Sequence, residues 1–206
     1  MSFPDQTYPS AGAYVGAYRD EIARAWASVD LAAFDRAAEV LAAAIQAGRV
    51  IYVCGNGGSA SISNHLHCDV LKGAQTDTAL KPKVVSLAGP LELVTAIAND
   101  IGYADVFVYP LRTLAAAGDL LITISSSGNS ENIVRAIEWA RANGVSSISM
   151  TGFAGGRSKN LADVNLHVAA ENYGVVEDIH QSMMHSLAQY LRQSAMPPGL
   201  VPSRAF

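Results

Sequence analysis

The chain has 206 residues, half of them hydrophobic and 16% charged, with a formal net charge of −4. That balance, with no run of Lys or Arg, argues against a nucleic-acid partner, whose phosphates are gripped by clustered cations. No stretch approaches the roughly 18 uncharged apolar residues of a membrane span, the opening Met1–Gln6 lacks the basic and apolar regions of a secretion signal, and Cys54 and Cys68 make no disulfide framework. The expectation is a reduced, cytoplasmic protein with no membrane attachment and a single domain over 1–206. Within it, 1–48 would be N-terminal helices for packing or oligomerisation, 49–195 an α/β core and 196–206 a tail.

Helical spacing predicts two helices first, Ala13 to Val29 and Leu31 to Ala47, the second opened by Asp30 as an N-cap and closed by Gly48. From Arg49 onward short β-rich apolar runs alternate with helical ones: Val50–Cys54, Val84–Leu87, Leu120–Ile124, Ser147–Met150 and Val164–Val168. Such alternation predicts a five-stranded parallel sheet, and the continuous apolar character of the runs predicts helices on both faces. A last helix is expected from Val175 to Arg192, ended by the Pro-rich Met196–Gly199.

The turn after the first strand, Gly55-Asn56-Gly57-Gly58-Ser59-Ala60, leads into a helix, which suits an anion: glycines let backbone amides point inward and the helix N-terminus adds unpaired donors. The spacing also satisfies a dinucleotide fingerprint, which requires an acid at the end of the second strand. That strand instead runs into Leu87-Ala88-Gly89-Pro90, with no acid before Glu92, so a nicotinamide cofactor is disfavoured. The turn after the third strand, Ser125-Ser126-Ser127-Gly128-Asn129-Ser130, enters a second helix, Glu131 to Ala142. One serine suffices to cap a helix, so four around Gly-Asn indicate hydroxyl donors for an anion. His65 and Asp69 stand four residues apart on one predicted helix, and Glu177, Gln181 and His185 repeat that interval on another. Two such faces brought together would make a four-coordinate zinc site, or a three-ligand site with an open position. His67, His167 and His180 carry no assigned role. The segment Gly152–Arg157 is a loop on the carboxyl side of the sheet, beside the site.

The two loops together resemble those of the sugar isomerase (SIS) domain family, specifically its phosphoheptose isomerase branch, and the likeness extends to Asn99–Tyr103, to Glu177–His180 and to His185. The resemblance implies a flavodoxin-like fold and a homotetramer with interfacial active sites. It also implies interconversion of sedoheptulose 7-phosphate and D-glycero-D-manno-heptose 7-phosphate through an enediolate, feeding nucleotide-activated heptose and surface glycans. Asn56, Gly57, Gly58, Ser59, Ser125, Ser126, Ser127 and Ser130 would bind the sugar phosphate, with Asp100 near its hydroxyls. His65, Asp69, Glu177 and His185 would hold one zinc per subunit, with Asp69 as base and His185 as its acid/base partner. Two positions depart from the family, which usually carries glutamate at 69 and glutamine at 177, and Tyr173–Val176 lacks an acid that members of the family carry. A sugar-phosphate-binding adaptor or regulator without catalysis is the alternative, since it would need the loops but not the metal ligands.

Overall fold

The computed structural model describes residues 3–206. Two helices come first, α1 (Ala11–Ala27) and α2 (Leu31–Gln46), and Asp30 caps the second by accepting from the Ala32 amide at 2.9 Å. Strands β1 (Val50–Gly55), β2 (Lys83–Ser86), β3 (Leu120–Ser125), β4 (Ser146–Thr151) and β5 (Val164–His167) follow. All pair in parallel, in the order β2-β1-β3-β4-β5. This is the flavodoxin-like order, whose reversal of direction lies between β1 and β3, and ligands collect at the carboxyl ends of the strands flanking such a point.

Side chains alternate along each strand, so the two faces of the sheet bury different residues. Ile51, Val53, Ile122, Ile148 and Met150 face one core, shared with α2, with α3 (Gly58–Cys68) and with the long α8 (Tyr173–Ala195). Tyr52, Cys54 and Leu121 face the other, closed by α4 (Leu91–Asp100), α5 (Val108–Leu114) and α6 (Glu131–Ala142). Burial alone raises the pKa of the Cys54 thiol, which makes it an inert core residue. α1 rests on α8, and the Tyr18 hydroxyl donates to Asp178 at 2.6 Å.

The predicted strands and the two opening helices are present, with ends shifted by a residue or two. The helical runs between the strands include α4, α5 and α7 (Gly156–Leu161), whose bounds the sequence reading did not give. Neither Pro90 nor Phe107, which precede α4 and α5, offers a side-chain cap, so tertiary packing rather than a local signal starts them. A π-helical turn over Asp69–Gly73 continues α3, with the Ala74 amide reaching back to the Asp69 carbonyl at 2.9 Å. Such turns add a residue to a helix and re-aim its side chains, and they recur at functional sites.

Candidate functional site

β1 and β3 are neighbours, so the loops that leave their carboxyl ends lie side by side, and α3 and α6 both begin there. Gly57, at φ +56°, makes the turn into α3. The serine loop is held from behind by the segment after β4. The Gly152 amide donates to the Ser126 carbonyl at 2.8 Å, and the Ser158 amide and hydroxyl both donate to the Gly128 carbonyl, at 3.0 and 2.9 Å. Gly128 is required here: its φ is +65°, and a Cβ would overlap the Gly155 carbonyl. Arg157 completes the brace, its amide donating to Asn129 Oδ1 at 3.0 Å and its guanidinium to Glu131 at 2.6 Å. Arg157 and Arg135 together lower the pKa of Glu131. Gly152–Arg157 thus acts as the buttress of the site rather than as a free loop beside it.

Between the two loops lies a cavity of about 140 Å³ lined by Asn56, Ser59, Ser125, Ser126, Ser127, Ser130, Tyr173 and Glu177. Ser125 and Ser127 accept loop amides, from Gly128 at 3.2 Å and Asn129 at 3.3 Å, which leaves both hydroxyl hydrogens free to donate. Ser130 stands at the N-cap of α6 yet makes no capping hydrogen bond. The Ser126 hydroxyl is buried with no partner at all among the described residues. A buried donor without an acceptor costs about 1–3 kcal/mol, so this loop is arranged for a ligand and not for its own stability. Free hydroxyls beside two helix N-termini, with no cation lining the cavity, are the chemistry of a neutral anion-binding site.

Asn132 was not singled out in the sequence, and Tyr103 reads there as a core or interface residue; both tie the first loop in place. The Asn56 and Asn132 side-chain amides exchange two hydrogen bonds of 2.9 Å, and the Tyr103 hydroxyl donates to Asn56 Oδ1 at 2.9 Å. An asparagine two places after Ser130 was the available signal for this clasp. Asp100 is exposed at the end of α4, accepts from Asn99 at 2.8 Å, and does not line the cavity.

The second constellation is made where α3 runs into its π turn against α8. His65, Asp69 and His185 each offer a ligand atom within 4.8 Å of the others. His65 Nε2 lies 3.4 Å from Asp69 Oδ1 and His185 Nε2 3.7 Å from Asp69 Oδ2. Ligands about 2.0–2.1 Å from a tetrahedral zinc stand about 3.3 Å apart, so two imidazoles and a carboxylate at these separations fit the ion. The imidazoles meet edge-on, 4.9 Å between centroids, and Gln181 Nε2 lies 2.9 Å from both His65 Nδ1 and His185 Nε2.

Glu177, expected beside these residues, is outside the cluster. Its carboxylate lies about two turns before His185 on α8, lining the serine cavity against Gly58, where a Cβ would overlap it. Burial, and then the Asp178 charge, raise its pKa. A larger cavity, about 330 Å³, lies on the other side of Asp69, walled by Lys72, Thr76, Gln189, Arg192 and Phe206. Its arginine is already engaged by Asp77, by the Thr76 and Ala205 carbonyls and by the Phe206 ring, and it offers no set of free hydroxyls.

Residues 17–152 match the SIS domain family. The chain is 36% identical over 155 residues to the phosphoheptose isomerase of Colwellia psychrerythraea, covering 74% of this chain and 79% of that one. It is 37% identical over 158 residues to that of Nitratidesulfovibrio vulgaris, covering 75% and 76%. The solved phosphoheptose isomerase of Neisseria gonorrhoeae superposes with a TM-score of 0.81 at 29% identity, over 88% of this chain and 98% of that one. A hydroxyl-lined cavity at the β1/β3 switch point, a His-Asp-His cluster about two turns further along α8 and relatedness over three quarters of the chain agree, and the chain belongs to the phosphoheptose isomerases of the SIS domain family.

Proposed function

We propose that this protein interconverts sedoheptulose 7-phosphate and D-glycero-D-manno-heptose 7-phosphate, the step that commits a ketose phosphate to nucleotide-activated heptose and surface glycan. The observation that carries this reading is the joint presence, about two turns apart on α8, of a hydroxyl-lined cavity and a group of proton-transferring side chains. The cavity holds the phosphate end and so fixes the distance of the carbonyl end from Asp69 and His185. Asp69 removes the proton from the carbon beside the carbonyl and returns it to the neighbouring carbon. His185 moves the proton between the two oxygens, and Gln181, bonded to both rings, orients the imidazoles for it. His65, Asp69 and His185 would hold one zinc per subunit, which would supply electrophilic polarisation of the substrate oxygens.

The reading includes a homotetramer with active sites at its interfaces, to which the exposed Leu91, Leu93, Ile101 and Tyr109 around α4 and α5 lend support. It also includes a cytoplasmic setting: no helix of the described residues is long and apolar enough to cross a membrane. The test is turnover of sedoheptulose 7-phosphate by the protein as purified, after chelation and after zinc is restored, beside Asp69→Ala. Conversion is expected to vanish on chelation, to return with zinc and to fall at least about a hundredfold in Asp69→Ala. Tight sugar-phosphate binding with no conversion under any of these conditions would replace the isomerase with a sugar-phosphate-binding regulator or adaptor.

A further inference from the structure

Asp69 and His185 come from different elements, the π turn and α8, so their separation depends on how those two elements are held together. Val70 and Ala74 anchor one side of the turn in the core, in the same cluster as Leu187 and Leu191 of α8. On the side lined by Asp69 the two elements part around the cavity of about 330 Å³. They close again about two turns beyond His185, at Arg192, whose side chain is only 12% exposed. Its Nε donates to the Thr76 carbonyl at 3.1 Å and its Nη2 to Asp77 at 3.1 Å, just past the end of the π turn. Its Nη1 donates to the Ala205 carbonyl at 2.9 Å, and the centre of the Phe206 ring lies 4.7 Å from the guanidinium carbon. Arg204 brings a second guanidinium to Asp77 at 3.2 Å. Asp77 stands at φ +59°, a left-handed conformation that a non-glycine residue keeps where its surroundings hold it.

We infer that Arg192 is a positioning residue for Asp69: it pins the far end of the π turn to the helix that carries His185, and so sets the separation of carboxylate and imidazole. All three guanidinium nitrogens are engaged, and the planar guanidinium is a rigid fork, so the segment it grips is fixed in direction as well as in distance. The link back to Asp69 is short. The Ala74 amide, next to the gripped segment, donates to the Asp69 carbonyl at 2.9 Å and closes the π turn. A π turn carries one residue more than the helix around it, so a turn released at that end is free to slip into ordinary helical pairing and swing Asp69 away from His185. Residues 204–206 belong to the same device, since they cover the guanidinium and add to the hold on Asp77. The inference rests on the reading of the His65–Asp69–His185 cluster given above, and it adds a residue that touches neither metal nor sugar.

The test compares the full chain with Arg192→Ala, Arg192→Lys, Phe206→Ala and Asp119→Ala, the last of which loosens the fold at the opposite end of the sheet. The first measurement, on metal-free protein, is hydrogen exchange of the Ala74 amide relative to the slowest amides of the sheet. That ratio should rise about tenfold or more in Arg192→Ala and stay within about threefold of the parent in Asp119→Ala, because only the former opens the turn locally. Zinc affinity, by competition with a chromogenic chelator, should weaken about tenfold in Arg192→Ala and hold within about threefold in Asp119→Ala. With sedoheptulose 7-phosphate, kcat should fall about tenfold to a hundredfold in Arg192→Ala, while KM stays within about threefold because the serine cavity is untouched. Arg192→Lys, which keeps the charge but loses the fork, should fall between the parent and Arg192→Ala, and Phe206→Ala should show a smaller loss in the same direction. An Arg192→Ala protein of lower stability that keeps the parent's Ala74 ratio would overturn the inference. So would a faster Ala74 amide with zinc affinity unchanged, which would leave Arg192 a brace alone. A parent whose variants shift exchange and zinc affinity as expected, but which turns nothing over, would sink the isomerase reading while leaving this one standing.

Discussion

Asp119 and Ser126 flank the same strand, β3, one at its amino end and one at its carboxyl end, and each is 5% exposed. Asp119 is fully engaged: it accepts from the Val50 amide and the Ala116 amide, both at 2.9 Å. The Ser126 hydroxyl has no partner among the described residues. Asp163, itself exposed, ties the amino end of β5 in the same way, accepting from the Ser147 amide at 2.8 Å and its hydroxyl at 3.0 Å. Asp119 thus closes the chain upon itself at one end of the strand, while the Ser126 hydroxyl at the other is held ready for a partner outside the described residues. Burial is shared by the two ends, and hydrogen-bond satisfaction is what separates architecture from binding site.

Substitutions should separate the two ends cleanly. Asp119→Ala orphans two amides and is expected to destabilise the fold by about 2–4 kcal/mol, read as an earlier urea midpoint, with sugar-phosphate affinity unchanged. Ser126→Ala is expected to do the reverse: stability equal to or slightly above the parent and affinity for sugar phosphate about tenfold lower by calorimetry. A Ser126→Ala protein that loses stability but keeps affinity would erase the distinction.

A third buried polar residue sharpens it at acid pH. His180 lies on the inner face of α8, fully buried, with neither ring nitrogen in a hydrogen bond among the described residues. Burial pushes its pKa down to about 4, against a weaker upward pull from the nearby Thr151 carbonyl and a further downward push from His167. The folded protein therefore resists a proton that the unfolded chain takes up near pH 6.5. Stability from this group is complete above that pH and is lost progressively as pH falls toward 4. At one proton, the loss across that window is about 3 kcal/mol. His180→Leu should flatten this part of the stability profile relative to the parent, and superimposable acid limbs in the two proteins would contradict the assignment.

Much of this organisation was legible in the residues themselves. The five strands announced themselves because β-branched runs buried on both faces have few other homes, and the phosphate loops because Gly-rich and Ser-rich turns between strand and helix carry a chemical purpose. The separation of Glu177 from the His65–Asp69–His185 cluster was not legible. Glu177, Gln181 and His185 share one helical face by spacing, and only the packing of α8 across α3 decides which of them meets His65. The π turn that begins at Asp69 was equally hidden, since one inserted residue leaves no mark in a periodicity. The Asn56–Asn132 clasp was hidden because its partners are 76 residues apart.

The account stands on the serine cavity as the seat of the phosphate, and the most direct measurement is a crystal structure of the protein with sedoheptulose 7-phosphate. The phosphate is expected within hydrogen-bonding distance of Ser59, Ser126, Ser127 and Ser130, at the N-termini of α3 and α6, with the carbonyl end toward His65, Asp69 and His185. A phosphate found instead beside Lys72 and Arg192, in the larger cavity behind Asp69, would contradict it.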